Sequence, residues 1–363
     1  MLWIDKYRPK GLGGLSYHED ITSRLNFFAD RPSALPHLMF YGPPGAGKKT
    51  RVMALLRSIY GTGAERLRLD KRTFTTPTNK SVDIHMISSN YHIELCPGDA
   101  GLNDRYVVQD VIKEMAQSKS IVGGSSSSKS IEYKIVVLVE VDRLTRQAQA
   151  ALRRTMEKYS SSCRIILICN NPSKVIDPVR SRCLGIRVPS PSHDQICSVL
   201  KFICRREDIP LSDEVAINVA RQSQRNLRRA ILMLEACKVQ YGTLSPASGT
   251  TNTPIVIQRT DWETYISVLA SEILREQSPQ RLLAAREKVY ELLVNCIPPS
   301  EIIKTLALEL CKSLDDGVKQ EVIEWAAFYE HRICQGSKDI FHLEAFIAKF
   351  MAIYKRYLNE LFG

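Results

Sequence analysis

The spacing of hydrophobic positions changes along the chain, from strand-like runs in its first half to helical repeats in its second. Continuous apolar runs bounded by turn residues are typical of buried parallel strands. Such runs lie at residues 38–41, 135–139 and 164–169, and shorter alternating pieces lie at residues 66–69, 82–87 and 91–95. From about residue 192 onward the spacing is helical. The pattern predicts an α/β domain with a parallel sheet, followed by helical domains.

Composition divides the helical part in two. A stretch rich in Ser and Thr at residues 243–260 predicts a linker. We therefore predict an α/β domain at residues 1–190, a small helical domain at 191–242, the linker at 243–260, and a second helical domain at 261–363. The last domain shows no catalytic constellation, so packing or oligomerisation is its expected role.

A glycine-rich loop directly follows the first apolar run and opens an amphipathic segment. The loop consists of Gly42, Pro43, Pro44, Gly45, Ala46, Gly47, Lys48, Lys49 and Thr50. Its glycines let backbone N–H groups surround a polyphosphate, the helix start adds positive potential, and Lys48 reaches the terminal phosphates. The sequence therefore predicts a site for ATP or ADP.

Two positions where a phosphate-loop ATPase holds Mg²⁺ have changed. The loop motif places a Ser or Thr hydroxyl directly after the lysine, but Lys49 stands there and Thr50 is one residue late. At the end of the strand at 135–139, Val139 replaces the expected Asp, whereas the following Glu140 is present. We predict a site that binds nucleotide, holds Mg²⁺ weakly or not at all, and hydrolyses poorly.

The N-terminal segment, residues 3–9, combines aromatic rings with cations. Tyr7, Arg8 and Pro9 have the character needed to pack across a nucleotide base and the phosphate loop. An equally good interpretation is an N-terminal arm pinned in place by Trp3.

Three further side chains are candidates for the same site. Asn170 follows the strand at 164–169, where an amide can orient water or sense the γ-phosphate. Arg182 is either a solvated charge or an arginine finger on a neighbouring subunit. Arg228 begins a helix and can fold over the nucleotide.

Charge and cysteine usage indicate what the protein binds and in which compartment it works. Lys and Arg number 50 against 39 Asp and Glu, a net charge of +11, which suggests an anionic partner. Nucleic acid fits best, but a merely basic surface explains the same composition. The ten cysteines form no Cys-x-x-Cys pair, which predicts reduced, buried thiols of an intracellular protein and no zinc site or other metal centre. No apolar run suggests a signal peptide or membrane span.

Five segments resemble, in order and spacing, the sequence boxes of the replication factor C small subunits, AAA+ ATPases of the sliding-clamp loader. They lie at residues 3–9, 42–50, 151–159, 181–183 and 226–228, and the resemblance extends to residues 341–350. It implies an α/β AAA+ P-loop domain with a parallel sheet flanked by helices, a small helical lid, and a C-terminal all-helical collar. Within the family, Lys49, Val139 and residues 91–95 indicate one particular subunit type.

The resemblance also implies a role and a set of partners. Five related subunits form an open spiral in the nucleus, bind ATP at their interfaces, open the sliding clamp PCNA, and set it on primer–template DNA in replication and repair. The implied partners are the other replication factor C subunits, PCNA, DNA, and alternative large subunits of related clamp loaders, with no membrane.

Carried over position by position, the resemblance implies a role for each candidate residue. Lys48 becomes the phosphate-loop lysine, Glu140 the water-activating position of a degenerate Walker B motif, and Asn170 the first sensor. Arg228 becomes the second sensor and Arg182 the finger offered to the adjacent subunit. The isolated chain is expected to have little or no ATPase activity. A self-contained P-loop ATPase, kinase or translocase, and a structural subunit with a vestigial pocket, remain as alternatives.

Contacts with DNA and with the clamp are the last predictions. Basic side chains near helix starts would track phosphates along a central channel, although each is also explained as a solvated charge. The candidates are Lys80, Arg105, Lys113 and Arg146. Gln109, Ile112 and Met115 have the spacing of a degenerate clamp-binding box, but a core-facing stripe explains that spacing better.

Overall fold

Seven strands from the first part of the chain form one sheet in the computed structural model, which describes residues 1–75, 81–117, 133–241, 257 and 259–362. The strands are β1 (Leu38–Tyr41), β2 (Arg68–Thr75), β3 (Ser81–Ser88), β4 (His92–Leu95), β5 (Lys134–Val139), β6 (Cys163–Cys169) and β7 (Leu184–Arg187). Their order is β2-β3-β4-β5-β6-β1-β7. The pairs from β4 to β7 are parallel, and β2 and β3 extend the sheet as an antiparallel pair.

The strand register brings three chain turns to one edge of the sheet. Tyr41 at the end of β1 pairs with Cys169 at the end of β6, and Val139 at the end of β5 pairs with Ile168. The loops that follow β1, β5 and β6 therefore start side by side at the carboxyl edge. This edge of a parallel sheet is where ligands bind in open α/β folds.

Helices cover both faces of the sheet because strand residues alternate between two apolar cores. These helices are α2 (Glu19–Asp30), α3 (Lys48–Tyr60), α4 (Asp104–Gln117), α5 (Arg146–Lys158) and α6 (Asp177–Arg180). The short helix α1 (Trp3–Lys6) precedes them and packs into a different core. In β1, Met39 packs into a core with α4 and α5, whereas Leu38 and Phe40 pack into a core with α2 and α3. Ile112 and Met115 of α4, two residues of the candidate clamp-binding box, are 0% and 6% exposed. Their core-facing interpretation is therefore confirmed.

Three lid helices follow the sheet: α7 (His193–Arg206), α8 (Asp213–Gln222) and α9 (Leu227–Tyr241). Ser192 caps α7 in a reciprocal capping box with Gln195. Trp3 from the start of the chain is buried in the apolar core that these helices share.

The chain divides into two units, Met1–Ile257 and Gln258–Gly363. The second unit contains α10 (Asp261–Arg275), α11 (Pro279–Val294), α12 (Pro299–Leu310), α13 (Asp316–Gln335) and α14 (Asp339–Phe362), packed around their own core. The Ser278 hydroxyl caps α11 by accepting from the Arg281 N–H, with Pro279 in the first turn. The predicted architecture, a parallel sheet flanked by helices, a helical lid and a C-terminal helical domain, is confirmed.

The ten cysteines all carry free thiols, but they are not uniformly buried. Cys296 and Cys334 are exposed, so the prediction of buried thiols is wrong for these two. Cys296 lies in the left-handed backbone region (φ 59°) just after α11, at a turn that apolar patterning does not reveal. No helix among the described residues is both long and apolar enough to cross a membrane.

Candidate nucleotide site

A cavity of about 820 Å³ lies at the carboxyl edge of the sheet, between the phosphate loop, the N-terminal segment and the lid helices. Its volume is in the range of cofactor pockets. The residues predicted to contact nucleotide that line it are Tyr7, Arg8, Pro9, Pro44, Gly45, Gly47, Lys48, Lys49, Thr50, Asn170 and Arg228. Val139 and Glu140 line it as well. One cavity thus brings together residues that lie more than 200 positions apart in the sequence.

Close approaches explain two glycines of the phosphate loop. Gly45 has φ +74°, and a Cβ there would lie 1.8 Å from Oδ1 of Asn226, at the start of α9. Gly42 has φ +147°, and a Cβ there would lie 2.0 Å from the Val188 carbonyl oxygen. Only glycine accommodates both the conformation and the contact. The loop is therefore fitted against the lid on one side and against the chain after β7 on the other.

Lys48 is buried under the loop that it follows. Its ammonium donates to the carbonyl oxygens of Gly42 (2.6 Å) and Pro43 (2.8 Å) and to Oδ1 of Asn170 (2.9 Å). These three bonds use all three donors of the ammonium. Burial lowers the pKa of Lys48; Cys169 and Asp142 oppose this shift, and Arg228 adds to it.

The remaining loop residues support its shape. Gly42, Pro43 and Ala46 do not line the cavity; the first two offer carbonyls to Lys48, and Ala46 is buried. The Ala46 carbonyl accepts from the Tyr17 hydroxyl at 3.2 Å.

The positions that would ligate Mg²⁺ carry other contacts. The Lys49 ammonium forms an ion pair with Glu94, whose side chain is only 8% exposed. The Thr50 hydroxyl accepts from Nε of Arg8 at 3.2 Å, and Val139 offers no side-chain oxygen. Mg²⁺ requires oxygen ligands. At the positions where the loop and the strand would supply them, the chain has the Lys49 ammonium, the Thr50 hydroxyl bonded to Arg8, and the isopropyl group of Val139. The residues present do not fit this metal.

The carboxylates after β5 are arranged differently from each other. Glu140 has a left-handed backbone (φ 56°), lines the cavity, and pairs with Arg143 at 2.9 Å. One oxygen of Asp142 is buried and makes no hydrogen bond with the described residues. Among the described residues, no group of three or more His, Cys, Asp or Glu side chains is placed to hold a metal ion.

Arg182 follows α6 and does not line the cavity of its own chain. Nη2 of Arg182 forms an ion pair with Glu157 of α5, and Nη1 donates to the Pro178 carbonyl at 2.8 Å. The side chain remains 32% exposed. The guanidinium is thus held at the surface, away from the chain's own phosphate loop.

The N-terminal segment bridges the lid and the phosphate loop. The backbone N–H of Trp3 donates to the carboxylate of Glu235 in α9 at 3.1 Å. The Tyr7 hydroxyl donates at 2.6 Å to Glu207, which directly follows α7. Arg8 reaches α3 through its bond to Thr50. Trp3 therefore pins the arm, as one interpretation predicted, while Tyr7 and Arg8 line the cavity, as the other required.

The N-termini of α4 and α5 are joined by a buried carboxylate. Asp104 is 1% exposed and accepts from the N–H (2.7 Å) and the hydroxyl (2.9 Å) of Thr145, the N-cap of α5. Two predicted DNA contacts, Arg105 and Arg146, are exposed in the first turns of these neighbouring helices. Backbone N–H groups at helix starts and adjacent cations together suit phosphate oxygens.

The other two predicted DNA contacts do not share that place. Lys113 is exposed but lies about 12 Å further along α4 than Arg105, at 1.5 Å per residue. Lys80 lies outside the described residues.

Sequence reasoning missed several side chains of the site. Arg51 of α3 is fully buried, stacks its guanidinium 4.6 Å from the Tyr17 ring, and donates to the Tyr17 carbonyl at 2.8 Å. Arg51 belonged to a segment interpreted only as amphipathic, where an arginine is expected to face solvent. Glu94 and Glu207, the partners of Lys49 and Tyr7, were missed too; a carboxylate inside an apolar strand was the one available signal for Glu94.

Three family models match the chain. They are the C-terminal domain of replication factor C subunit 3 at residues 262–358, the RCF1/5-like AAA+ ATPase lid domain at residues 198–239, and the DNA polymerase III delta subunit at residues 19–192.

Relatives of similar length match over the whole chain. Replication factor C subunit 5 of Oryza sativa subsp. japonica is 50% identical and covers 100% of both chains. Replication factor C subunit 3 of Homo sapiens is 50% identical over 99% of this chain and 98% of its own length. A probable replication factor C subunit 3 of Dictyostelium discoideum is 52% identical over 98% of this chain and 99% of its own.

A solved structure shares the fold at low sequence identity. A point mutant of RuvB, the Holliday-junction branch-migration motor of Thermotoga maritima, is 15% identical with a TM-score of 0.50, over 78% of this chain and 85% of that one.

Proposed function

Because the chain belongs to the replication factor C subunit 3/5 family, we propose that it is a clamp-loader subunit that holds nucleotide in its own site and donates Arg182 to the site of a neighbouring subunit. The subunit type indicated by Lys49, Val139 and residues 91–95 is subunit three, numbered five in some nomenclatures, and the names of the relatives confirm it. The assembled complex uses ATP to open PCNA and load it on primer–template DNA in the nucleus, during replication and repair.

Nucleotide binding is supported by the cavity and by Lys48. The cavity is lined by the phosphate loop, Asn170 and Arg228, which in this proposal contact ATP or ADP together with Tyr7 and Arg8. When a phosphate binds, the Lys48 ammonium exchanges neutral carbonyl partners for phosphate oxygens. The charged oxygens then stabilise the buried ammonium by charge–charge attraction.

One observation carries the division of labour. The chain's own site lacks a fitting Mg²⁺ ligand set, whereas Arg182 is outside that site, partly exposed, and oriented by Glu157 and Pro178. An arginine supplied in trans stabilises the charge that develops on the transferred phosphoryl group. The chain therefore contributes more to its neighbour's hydrolysis than to its own.

DNA contact is proposed for the paired helix starts. Arg105 and Arg146, with Lys80 and Lys113 as further cations, track the phosphate backbone without reading bases. The binding of the complex to primer–template DNA should weaken as salt rises, and the salt slope should decrease in an Arg105→Ala, Arg146→Ala variant. An unchanged slope would remove these residues from the DNA contact.

The deciding experiment compares three variants in the reconstituted five-subunit complex with clamp and DNA. Arg182→Ala should lower the steady-state ATPase rate by up to about 10³-fold at the affected interface. Arg180→Ala is the matched control, because Arg180 is exposed at the end of α6, two positions before Arg182, and forms a local ion pair with Asp177. Lys48→Ala should cost far less than Arg182→Ala.

Three results would contradict the proposal. Equal losses from Arg182→Ala and Lys48→Ala would mean that the chain's own site turns over as fast as its neighbour's. Appreciable ATPase activity from the isolated chain, abolished by Lys48→Ala, would identify a self-contained ATPase. A chain that binds no nucleotide at all would instead be a structural subunit with a vestigial pocket.

A further inference from the structure

We propose that Lys49, oriented by Glu94, takes the place of the divalent metal at this site, so that the chain binds a nucleoside di- or triphosphate without Mg²⁺. The inference rests on the proposed nucleotide binding and deepens it. In this inference Lys49 neutralises phosphate charge, and Glu94 orients Lys49.

The position of Lys49 is the first support. It lies in the first turn of α3, directly after Lys48, and its side chain is 35% exposed at the cavity wall. This is the turn from which a phosphate-loop hydroxyl reaches the metal between the last two phosphates. An ammonium there carries its positive charge to the same region.

The count of hydrogen-bond donors is the second support. The Lys48 ammonium has all three donors engaged with Gly42, Pro43 and Asn170, so it reaches phosphate only by exchanging one of these partners. Within the described parts of the chain, the Lys49 ammonium has Glu94 as its one partner. Two of its three donors therefore remain for phosphate oxygens.

The burial of Glu94 is the third support. Glu94 lies in β4, next to β5, and its side chain is only 8% exposed. A buried carboxylate is a fixed anchor, because separation from the Lys49 ammonium would leave its charge buried without compensation. Glu94 thus restrains the long lysine side chain and prevents it from extending into solvent, and less conformational entropy is lost when phosphate binds.

The surroundings complete the exclusion of metal. Thr50 carries the one hydroxyl in the first turn of α3, and it accepts from the Arg8 guanidinium. Arg8 and Arg228 add two further cations to the cavity wall. The negative charge of the phosphates, which Mg²⁺ normally neutralises, is neutralised here by cationic side chains.

The test is a titration of ATP and of ADP into the full chain, stripped of nucleotide, with Mg²⁺ present or with excess EDTA. For each nucleotide, the wild-type dissociation constants measured with Mg²⁺ and with EDTA should agree within about threefold, because no metal–ligand energy contributes to binding. A tenfold difference would correspond to 1.4 kcal/mol. Lys49→Thr places a hydroxyl at the metal-ligand position. In EDTA its dissociation constant should rise at least tenfold, and Mg²⁺ should restore part of the affinity.

Further variants separate charge, orientation and folding. Lys158→Thr removes an exposed lysine from α5 and should bind like wild type in both buffers. Glu94→Ala should weaken metal-free binding, whereas Glu94→Gln, whose amide oxygen still accepts from Lys49, should retain it. Should Lys49→Thr fail to fold, Lys49→Arg keeps the cation and should remain insensitive to EDTA.

The outcomes distinguish this inference from the proposed function. Wild-type chain that binds neither nucleotide in either buffer would refute both. Wild-type binding in Mg²⁺ that EDTA abolishes would overturn the inference alone, as would EDTA-resistant binding by Lys49→Thr. Equal losses in Glu94→Ala and Glu94→Gln would overturn the positioning role of Glu94.

Discussion

Asp104→Ala should destabilise the first unit of the chain by about 3 kcal/mol. Asp104 is almost completely buried and accepts two hydrogen bonds from Thr145, at 2.7 and 2.9 Å. Each hydrogen bond to a charged group contributes roughly 1.5–3 kcal/mol, and the freed donors lose their partner inside the protein. The release of a buried carboxylate offsets part of the sum. Thr145 also caps α5 by accepting from the Ala148 N–H, so the start of that helix loosens as well.

Urea unfolding measures this change if the probe reports the first unit alone. The chain has three tryptophans, and replacing Trp262 and Trp325 with Phe leaves Trp3, which is buried in the first unit. Asp110→Ala is the matched control, since Asp110 is exposed on the same helix and its loss should stay within about 0.5 kcal/mol. Asp104→Asn should cost about half as much as Asp104→Ala, because one acceptor remains. A loss below about 1 kcal/mol, or one equal to that of the control, would refute the reasoning.

Three other predictions address pH, the phosphate loop and the lid. Burial lowers the pKa of His92 from 6.5 to about 4, so between these values only the unfolded chain takes up a proton. Unfolding free energy should therefore fall by roughly 3 kcal/mol as pH drops from 6.5 to 4, and denaturation of His92→Phe at several pH values should lack that component. Gly45→Ala should weaken ATP binding at least tenfold, since its Cβ would lie 1.8 Å from Asn226, whereas Gly13→Ala meets nothing within 4 Å and should bind normally in the same titration. Tyr7→Phe removes a hydroxyl bonded to a lid carboxylate at 2.6 Å, worth about 1.4 kcal/mol or tenfold, so a chase experiment should show faster nucleotide release; an unchanged rate would count against a closed lid.

The parts of the fold that local pattern determines were predictable. The apolar runs of β1, β5 and β6 and the caps at Ser192 and Ser278 depend on residues a few positions apart, and the structure follows them. The phosphate loop is equally local, because its glycines set their own backbone conformation. The apolar runs therefore predicted the sheet, and the glycine motif predicted the loop at its edge.

The partners of the site residues were not predictable in the same way. Glu94 is 45 positions from Lys49, and only the strand order brings β4 near the first turn of α3. Asp104 lies in the first turn of α4, yet its carboxylate accepts from Thr145, 41 positions away. Arg51 contradicts the expectation that an arginine faces solvent, and the Tyr17 ring and carbonyl compensate part of the cost of its burial. Such pairings depend on tertiary contacts that a single sequence does not encode locally.

The bond between Trp3 and Glu235 has a consequence for how the protein is made. These two residues are 232 positions apart, so Trp3 waits for its partner until α9 has been synthesised. At 5–20 residues per second, that interval is roughly 10–50 s. During it the indole of Trp3 has no core to enter, and the cavity lacks one wall. A nascent chain therefore acquires its nucleotide late, and until then its N-terminal segment is a natural target for chaperones.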